Sequence, residues 1–241
     1  MTRTHWAAIA AVVLALLFAG TAAVTANSAA DPAAKLPDGD SADAGFARDM
    51  SVHHQQAVEM SFIVRDRTAD PEVRRLAYDI ANTQANQRGM MLGWLDMWSL
   101  PKVAPAQEPM AWMASGDAGD APGVKGGGGE GGAAGHGGQG AHGGHGGSGA
   151  PTAKAGALMP GMATKAELAA LAKADGKAAE VLYLQLMTDH HKGGIQMAWG
   201  CATLCTTPVE RDLARGMVAG QQSELDLMAM LLNARGAKPR A

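Results

Sequence analysis

Two short segments of the sequence carry the same donor side chains at the same spacing. Residues 50–60 read MSVHHQQAVEM and residues 187–197 read MTDHHKGGIQM, so each has a methionine, an adjacent histidine pair and a second methionine. Successive helical residues turn by about 100°, which places both methionines and one histidine of each segment on one face. Imidazole and thioether together suit a soft metal ion, Cu(I) above all, with Cu(II) and Ag(I) as relatives. The candidate metal ligands are Met50, His53, His54, Met60, Met187, His190, His191 and Met197.

The two segments belong to a longer internal repeat. A shift of 137 positions, called here the repeat offset, aligns residues 38–96 with residues 175–233 without a gap. Pro71 then falls on Pro208, and Gln84 on Gln221. A low aromatic content, with 3 Phe and 2 Tyr, favours helices over strands. The chain is therefore predicted to hold two copies of one helical unit.

Each copy is predicted to form a helical hairpin. Asp70-Pro71 ends the first helix and starts the second, which should run to about Trp98. Apolar residues of the first helix recur at helical period, at Phe46, Met50, Ala57, Met60 and Val64. The corresponding face of the second helix is predicted to present Leu76, Ile80, Thr83, Gln87, Met90 and Trp94.

The second copy repeats this layout as helices over 176–205 and 208–234. A short helix over 164–173 is predicted to precede them, because Thr164 and Glu167 have the spacing of a capping box. One hairpin has an apolar stripe with nothing to cover it, so two hairpins should pack together. The fold class is thus predicted to be all-α, a four-helix bundle of two duplicated hairpins, and we expect up-down connectivity.

Two stretches are predicted to lie outside the core. The N-terminus has the basic start, apolar run and small residues of a secretory signal peptide, and if uncleaved it is long enough for a membrane anchor. A long glycine-rich stretch reads as a flexible linker, whose histidines either bind Cu(II) or Zn(II) weakly or are incidental. Whether the N-terminal segment is cleaved or retained, the rest of the protein should work outside the cytoplasm. The predicted divisions are 1–30 (signal peptide or anchor), 38–100 (first hairpin), 101–157 (linker) and 158–236 (second hairpin).

Cys201 and Cys205 are the only cysteines in the chain. Outside the cytoplasm a disulfide across the end of a helix is the stronger expectation. An intact helix, however, gives side chains at positions i and i+4 a poor geometry for bridging. The alternative is a pair of free thiols, with Cys201 one turn beyond Met197 as a soft ligand.

Other chemistries fit the sequence less well. A di-iron bundle needs inward glutamates and Glu-x-x-His motifs, and a zinc hydrolase needs H-E-x-x-H or a carboxylate base; the sequence has neither. No nucleophile is paired with a base. A net charge of −3 without a basic stripe argues against a nucleic-acid partner. Binding is favoured over catalysis.

A structural explanation competes with the metal site. Methionine fills gaps in cores, and a neighbour can satisfy one histidine of each pair. Both histidines and both methionines nevertheless persist in two copies that differ at most other positions. This favours a metal-binding role.

The pattern FARDMSVHHQQAVEMS, with MPGMATKAELAALAKADGKAAEVLYLQLMTDHHKGGIQMA in the second copy, resembles the bacterial family called domain of unknown function 305. The resemblance covers about 38–100 and 158–235. It implies a ferritin-like four-helix bundle and an exported protein that sequesters copper or silver. Carried over through the motif M-x-x-H-H-x-x-(A/G)-(V/I)-x-M, it implies the same eight ligands. Gly193, where the first copy has Gln56, and the long insert depart from the family pattern, so the two sites need not bind alike.

We therefore expect an exported copper-binding protein, not an enzyme, that sequesters, buffers or delivers Cu(I) or Cu(II). Its expected partners are the metal ion and a copper-trafficking protein, with membrane contact only through an uncleaved N-terminal segment. The alternatives are a structural or partner-binding bundle with no metal role and, less favoured, a copper-dependent oxidase.

Overall fold

The computed structural model describes residues 35–114 and 153–240. These residues form five α-helices and a 3-10 helix at Ala111–Met113, and no strand occurs within these ranges. The helices are α1 (Ala42–Arg67), α2 (Pro71–Met97), α3 (Lys165–Lys173), α4 (Gly176–Leu204) and α5 (Pro208–Ala234). The predicted signal segment 1–30 and the linker histidines His136, His142 and His145 lie outside the described residues. Within the described ranges, no helix combines the length and apolarity that crossing a membrane requires.

Short polar side chains fix where the helices begin. Ser41 and Asp70 accept hydrogen bonds from main-chain N–H groups in the first turns of α1 and α2. Pro71 occupies the first turn of α2, where its missing N–H costs nothing. Thr164 and Glu167 form the reciprocal capping box predicted for α3.

The four long helices form two pairs that meet through α1 and α4. α1 packs along α2, α4 packs along α5, and α1 and α4 pack against each other. Late in α1, Ser61 hydrogen-bonds Tyr183 near the start of α4, whereas the earlier His53 contacts the later His190. α1 and α4 are therefore antiparallel.

This arrangement makes the connectivity up-down-down-up, so the expected up-down order is wrong. His54 hydrogen-bonds Gln87 across the first helix pair, and His191 hydrogen-bonds Glu224 across the second. The long connection between α2 and α4 explains the difference, because it lets the chain run back along the bundle before α4 begins.

The buried apolar side chains form two clusters, one towards each end of the bundle. Met50 and Met197 belong to the first cluster, and Met60 and Met187 to the second. All four thioethers are fully buried. Both histidine pairs lie in the chain between a methionine of one cluster and a methionine of the other.

The buried face of α2 differs from the prediction. Thr83 and Met90 are exposed, and their neighbours Gln84 and Met91 are buried instead. A helix turns once in about 3.6 residues, so a stripe alternates steps of three and four. From Ile80 the stripe takes a step of four, where the prediction used a step of three.

The beginning of the predicted linker packs against α1. Trp112 is buried, donates its indole N–H to Asp49 over 3.0 Å and meets Phe46 edge-on at 5.8 Å. The main-chain N–H of Met110 also donates to Asp49. A Cβ on Gly45 would lie 2.5 Å from the indole ring. The glycine therefore makes room for the tryptophan that docks this segment.

Candidate metal centre

Two imidazoles from distant parts of the chain meet where α1 contacts α4. The ring centroids of His53 and His190 lie 3.8 Å apart, and both side chains are buried. His190 Nε2 lies 2.9 Å from the main-chain oxygen of His53, and His53 Nε2 lies 3.3 Å from the main-chain oxygen of Pro160. A carbonyl oxygen only accepts, so each ring donates from Nε2 and carries its lone pair on Nδ1.

The second histidine of each pair is held by the outer helix of its own half. His54 Nε2 lies 2.9 Å from Oε1 of Gln87 on α2, and His191 Nε2 lies 2.6 Å from Oε2 of Glu224 on α5. Gln87 and Glu224 are themselves related by the repeat offset. Histidines that ligate metals commonly donate their other ring N–H to a carboxylate or carbonyl in this way.

None of the four Nδ1 atoms has a hydrogen-bond partner. All four are buried, and in the tautomers set by the Nε2 bonds each presents a lone pair. An unsatisfied buried acceptor costs about 1–3 kcal/mol, so four of them in one region are unusual for an ordinary core. The Nδ1 atoms of His53, His54, His190 and His191 are thus free to bind a ligand.

The electrostatics keep the rings of His53, His54 and His190 neutral. Burial lowers the pKa of His53 and the pKa of His54 to about 3. Burial, followed by the neighbouring imidazoles of His53 and His191, lowers the pKa of His190 well below its ordinary value. Neutral imidazole is the form that ligates metals.

The structure thus brings together the histidines of both segments, while the methionines divide. Met50 and Met197 lie on one side of the histidines, and Met60 and Met187 on the other. The four thioethers are thus divided between the two apolar clusters rather than gathered in one. The geometry describes one histidine centre shared by both halves.

A loop before α3 covers this centre, and the sequence analysis did not predict its role. Met159 and Met162 of the MPGM stretch are buried there. Gln56 fixes the loop through two hydrogen bonds to the main chain of Ala163, of 2.9 and 2.6 Å. The Pro160 carbonyl is then held against His53. The replacement of Gln56 by Gly193 at the repeat offset was the available signal, because one half holds the loop and the other makes room for it.

Buried amides form a second set that the sequence analysis missed. Neither polar side-chain atom of Gln84 on α2 has a partner, nor does Oε1 of Gln221 on α5. A Cβ on Gly194 would lie 2.5 Å from this Gln221 oxygen. The identity of these two glutamines at the repeat offset could have marked them.

The cysteines form a disulfide, which is the first of the two alternatives from the sequence. α4 ends at Leu204, so Cys205 is the residue at which the chain leaves the helix. The Cα atoms of Cys201 and Cys205 are 4.7 Å apart, within the range of protein disulfides. The end of the helix supplies the geometry that an intact turn lacks.

Comparison with known proteins supports the same fold. A solved structure described as a secreted DUF305 protein from Streptomyces coelicolor is 55% identical, with 85% of this chain and 99% of that chain covered and a TM-score of 0.66. A DUF305 fragment from Deinococcus radiodurans is 25% identical over 80% of this chain and 96% of that one, with a TM-score of 0.54. CopM in a Cu(I)-bound form is 19% identical over 80% and 96%, with a TM-score of 0.51. A search of curated protein sequences finds no significant match.

The family assignment rests on most of the helical part of the chain. A sequence model described as domain of unknown function (DUF305) matches residues 43–232, from the first turn of α1 to the last turns of α5. This range contains both histidine pairs and the loop that covers them. The chain belongs to the DUF305 family.

Proposed function

We propose that this protein binds a soft metal ion, with Cu(I) preferred and Cu(II) or Ag(I) as related ligands, at the centre formed by His53 and His190. The observation that carries the proposal is the set of four buried Nδ1 atoms without hydrogen-bond partners. A core histidine with no further role is expected to have both nitrogens satisfied. Here one nitrogen of each ring is oriented by a partner and the other presents a lone pair.

The surrounding side chains favour a soft ion. Imidazole and thioether donors select Cu(I) over Mg(II) or Ca(II), which prefer oxygen. The four buried methionines proposed as ligands flank the histidines, and the covering loop adds Met159 and Met162. CopM, which shares the fold, has been solved in Cu(I)-, Cu(II)- and Ag-bound forms. The extension of copper binding to this chain rests on the chain's own residues.

The proposed role is storage, buffering or delivery of the ion, outside the cytoplasm. The similarity to a protein described as secreted supports this location, together with the signal-like residues 1–30. A copper-trafficking protein would be the delivery partner, and no catalytic role is proposed. We further infer that the bundle is ferritin-like and arose by duplication of a hairpin, with 101–157 joining the hairpins of 38–100 and 158–236.

The test is an anaerobic titration of Cu(I) against a colorimetric Cu(I) chelator. The wild type should remove copper from the chelator, and His53→Ala/His190→Ala should bind it about 100-fold more weakly or worse, because even outer partners of ligands are worth about 10–100-fold. A variant with alanine at His136, His142 and His145 controls for binding by the linker and should keep the tight site. Ag(I) provides a redox-inert repeat of the measurement.

Circular dichroism must show that the central variant retains its helices. Should it lose them, His190→Gln keeps a neutral polar side chain in the same space and replaces it. Copper uptake equal to that of the wild type in a folded central variant would overturn the proposal. The bundle would then be the structural or partner-binding protein of the alternative interpretation.

A further inference from the structure

A second group of metal-type donors lies at the end of the bundle where α4 gives way to α5. The two sulfur atoms of Cys201 and Cys205 and a carboxylate oxygen of Glu210 lie within 4.8 Å of one another. All three side chains are buried, and Glu210 is 0% exposed. The histidine centre uses none of them.

Glu210 is left facing these sulfurs because Asp43 occupies the main-chain N–H group that Glu210 would normally bind. Thr207-Pro208-Val209-Glu210 is a capping-box sequence, in which the glutamate normally accepts from the N–H of the first residue. Here the Thr207 N–H donates to Asp43 of α1 over 2.7 Å, and Asp43 also accepts from the N–H and hydroxyl of Thr206. Neither oxygen of Glu210 receives a hydrogen bond.

The surroundings of Glu210 favour its neutral form. Burial, followed by the adjacent Asp43 carboxyl, raises the pKa of Glu210 to about 9. In its neutral form the Glu210 carboxyl can donate a hydrogen bond to Asp43, so the oxidised protein can bury it without a cation. No lysine or arginine in the described ranges forms an ion pair with either acid.

The other half of the chain shows that packing alone does not require these side chains. At the repeat offset, Cys201, Cys205 and Glu210 correspond to Val64, Thr68 and Val73, which are also buried. The same bundle position is thus filled there without sulfur or carboxylate.

At the opposite end of the bundle, the acid that corresponds to Asp43 is also paired with a cation. Asp43 corresponds to Glu180, and Glu180 accepts from the Arg235 guanidinium over 2.7 Å. The end that carries the cysteines therefore has two buried carboxyls and two sulfurs, where the other end has the buried Glu180 carboxyl and the partly exposed Asp70 carboxyl, both paired with Arg235. Among the described residues, the cysteine end has no counterpart to the ion pair between Glu180 and Arg235.

We propose that reduction of the Cys201–Cys205 disulfide turns this cluster into a second metal site, in which both thiolates and the Glu210 carboxylate bind a thiophilic divalent cation with the chemistry of Zn(II). Cysteine sulfur and glutamate oxygen are both zinc ligands, and three protein donors leave a fourth position for water. Donors around a tetrahedral ion at about 2.3 Å stand about 3.8 Å apart. The Glu210 oxygen already lies within 4.8 Å of both sulfurs, so the sulfurs, once no longer bonded, need only move apart from each other. Because Cys205 lies at the end of α4, the sulfurs can separate by a turn of the chain there, with the helix intact.

The chemistry balances with a dithiol reductant. The reductant supplies two electrons and two protons, the S–S bond breaks, and two thiols form while the reductant becomes a disulfide. A divalent ion then replaces one proton on each thiol and one on the Glu210 carboxyl, and three protons are released to solvent. The same chain would hold a disulfide under oxidising conditions and a metal ion under reducing ones.

The experiment uses the full-length protein with Co(II) as the probe, because thiolate ligation to Co(II) produces a near-ultraviolet charge-transfer band that linker histidines cannot produce. The protein is reduced with a phosphine, freed of reductant under anaerobic conditions and titrated with Co(II), then with Zn(II) in competition. One band should appear in reduced protein, be absent from oxidised protein and disappear when Zn(II) displaces Co(II). His190→Ala/His191→Ala should retain it, which separates this site from the proposed copper centre.

Two variants define the ligand set. Glu210→Gln, which keeps the shape of the side chain, should bind Co(II) about tenfold more weakly or worse, since even outer partners of metal ligands are worth that much. Cys201→Val/Cys205→Thr, which installs the residues of the first half, should fold and lose the band. Asp212→Asn removes an exposed carboxylate from the same helix and should bind as the wild type does.

Three results would overturn the proposal. They are the absence of a band in reduced wild type, a band of equal strength in oxidised protein, and Co(II) affinity unchanged in Glu210→Gln.

Discussion

The main-chain carbonyl of Pro160 lies directly against the α-carbon of Gly193, so close that any side chain there would collide with it. The same carbonyl accepts from the His53 ring. The loop that covers the histidines can thus approach α4 only because position 193 is a glycine. This contact links a departure from the family pattern to the position of a proposed metal ligand.

Gly193→Ala should therefore destabilise the fold, although alanine is the better helix former. Forcing a methyl group into this contact should cost about 1–3 kcal/mol, as other overpacked sites do. Gly216→Ala is the matched control, because nothing lies within 4 Å of a Cβ there and the change should stabilise by up to about 1 kcal/mol. Urea unfolding of both variants measures the difference, and equal free energies would contradict the close contact.

The outer partners of the histidines should tune metal affinity. Gln87→Leu and Glu224→Leu each remove the acceptor that orients an imidazole, so each should weaken Cu(I) binding by about 10–100-fold. Glu224→Gln keeps an acceptor at the same position and should lose less. Anaerobic chelator competition measures these affinities. Unchanged affinity in Gln87→Leu and Glu224→Leu would mean that His54 and His191 are not ligands.

The metal-free protein should become less stable as the pH falls. The pKa of His53 and the pKa of His54 are lowered to about 3 in the folded state, against about 6.5 when unfolded. The stability that the neutral rings contribute is fully present above the unfolded pKa of about 6.5. Below that pH the unfolded chain binds protons that the folded chain excludes. Each ring should reduce the free energy of unfolding by about 1.4 kcal/mol per pH unit between about pH 6.5 and pH 4.

This slope can be assigned to a residue by substitution. His53→Phe keeps an aromatic ring without a titrating nitrogen, so its unfolding curve should lose about one proton of pH dependence over the same range. Denaturant unfolding of metal-free protein across that range provides the measurement. A slope in His53→Phe equal to that of the wild type would show that the ring is not buried in its neutral form.

Arg235 should be worth more to stability than any exposed ion pair. It bridges Glu180 at 2.7 Å and Asp70 at 3.0 Å, and its side chain is only 8% exposed. Arg235→Ala would leave Glu180 buried without its cation, which should cost about 3–5 kcal/mol. Arg215→Ala breaks an exposed pair with Asp212 and should change stability by less than about 1 kcal/mol. Similar melting temperatures for the two variants would contradict this assignment.

Local signals in the sequence predicted most of the helical structure. Prolines at the first turn and the Thr164 capping box marked helix starts that the structure reproduces, because these interactions lie within a few residues of each other. The direction of α4 was not predictable in the same way. It depends on the end of the bundle at which α4 begins, and no local pattern encodes that position.

At the histidine centre, too, the sequence predicted the local features and not the contacts between distant residues. The motif identified His53 and His190 as residues of interest, but helical periodicity within one segment cannot show that the two rings meet. Pro160 escaped prediction because it contributes a main-chain oxygen, which any residue carries. Glu210 escaped because a capping-box sequence normally predicts an exposed helix start, and only Asp43, from another helix, displaces it.

The contact between His53 and His190 joins positions 137 residues apart in the chain. An ion bound to both rings would therefore act as a removable cross-link between the halves of the protein. Because such an ion would bind the folded protein and leave on unfolding, it would stabilise the fold by mass action, by about 4 kcal/mol at a free concentration about a thousandfold above Kd. Binding and release of the ion would then be coupled to how firmly the two halves of the bundle pack together. A partner protein that separates the halves would also lower the affinity for the ion.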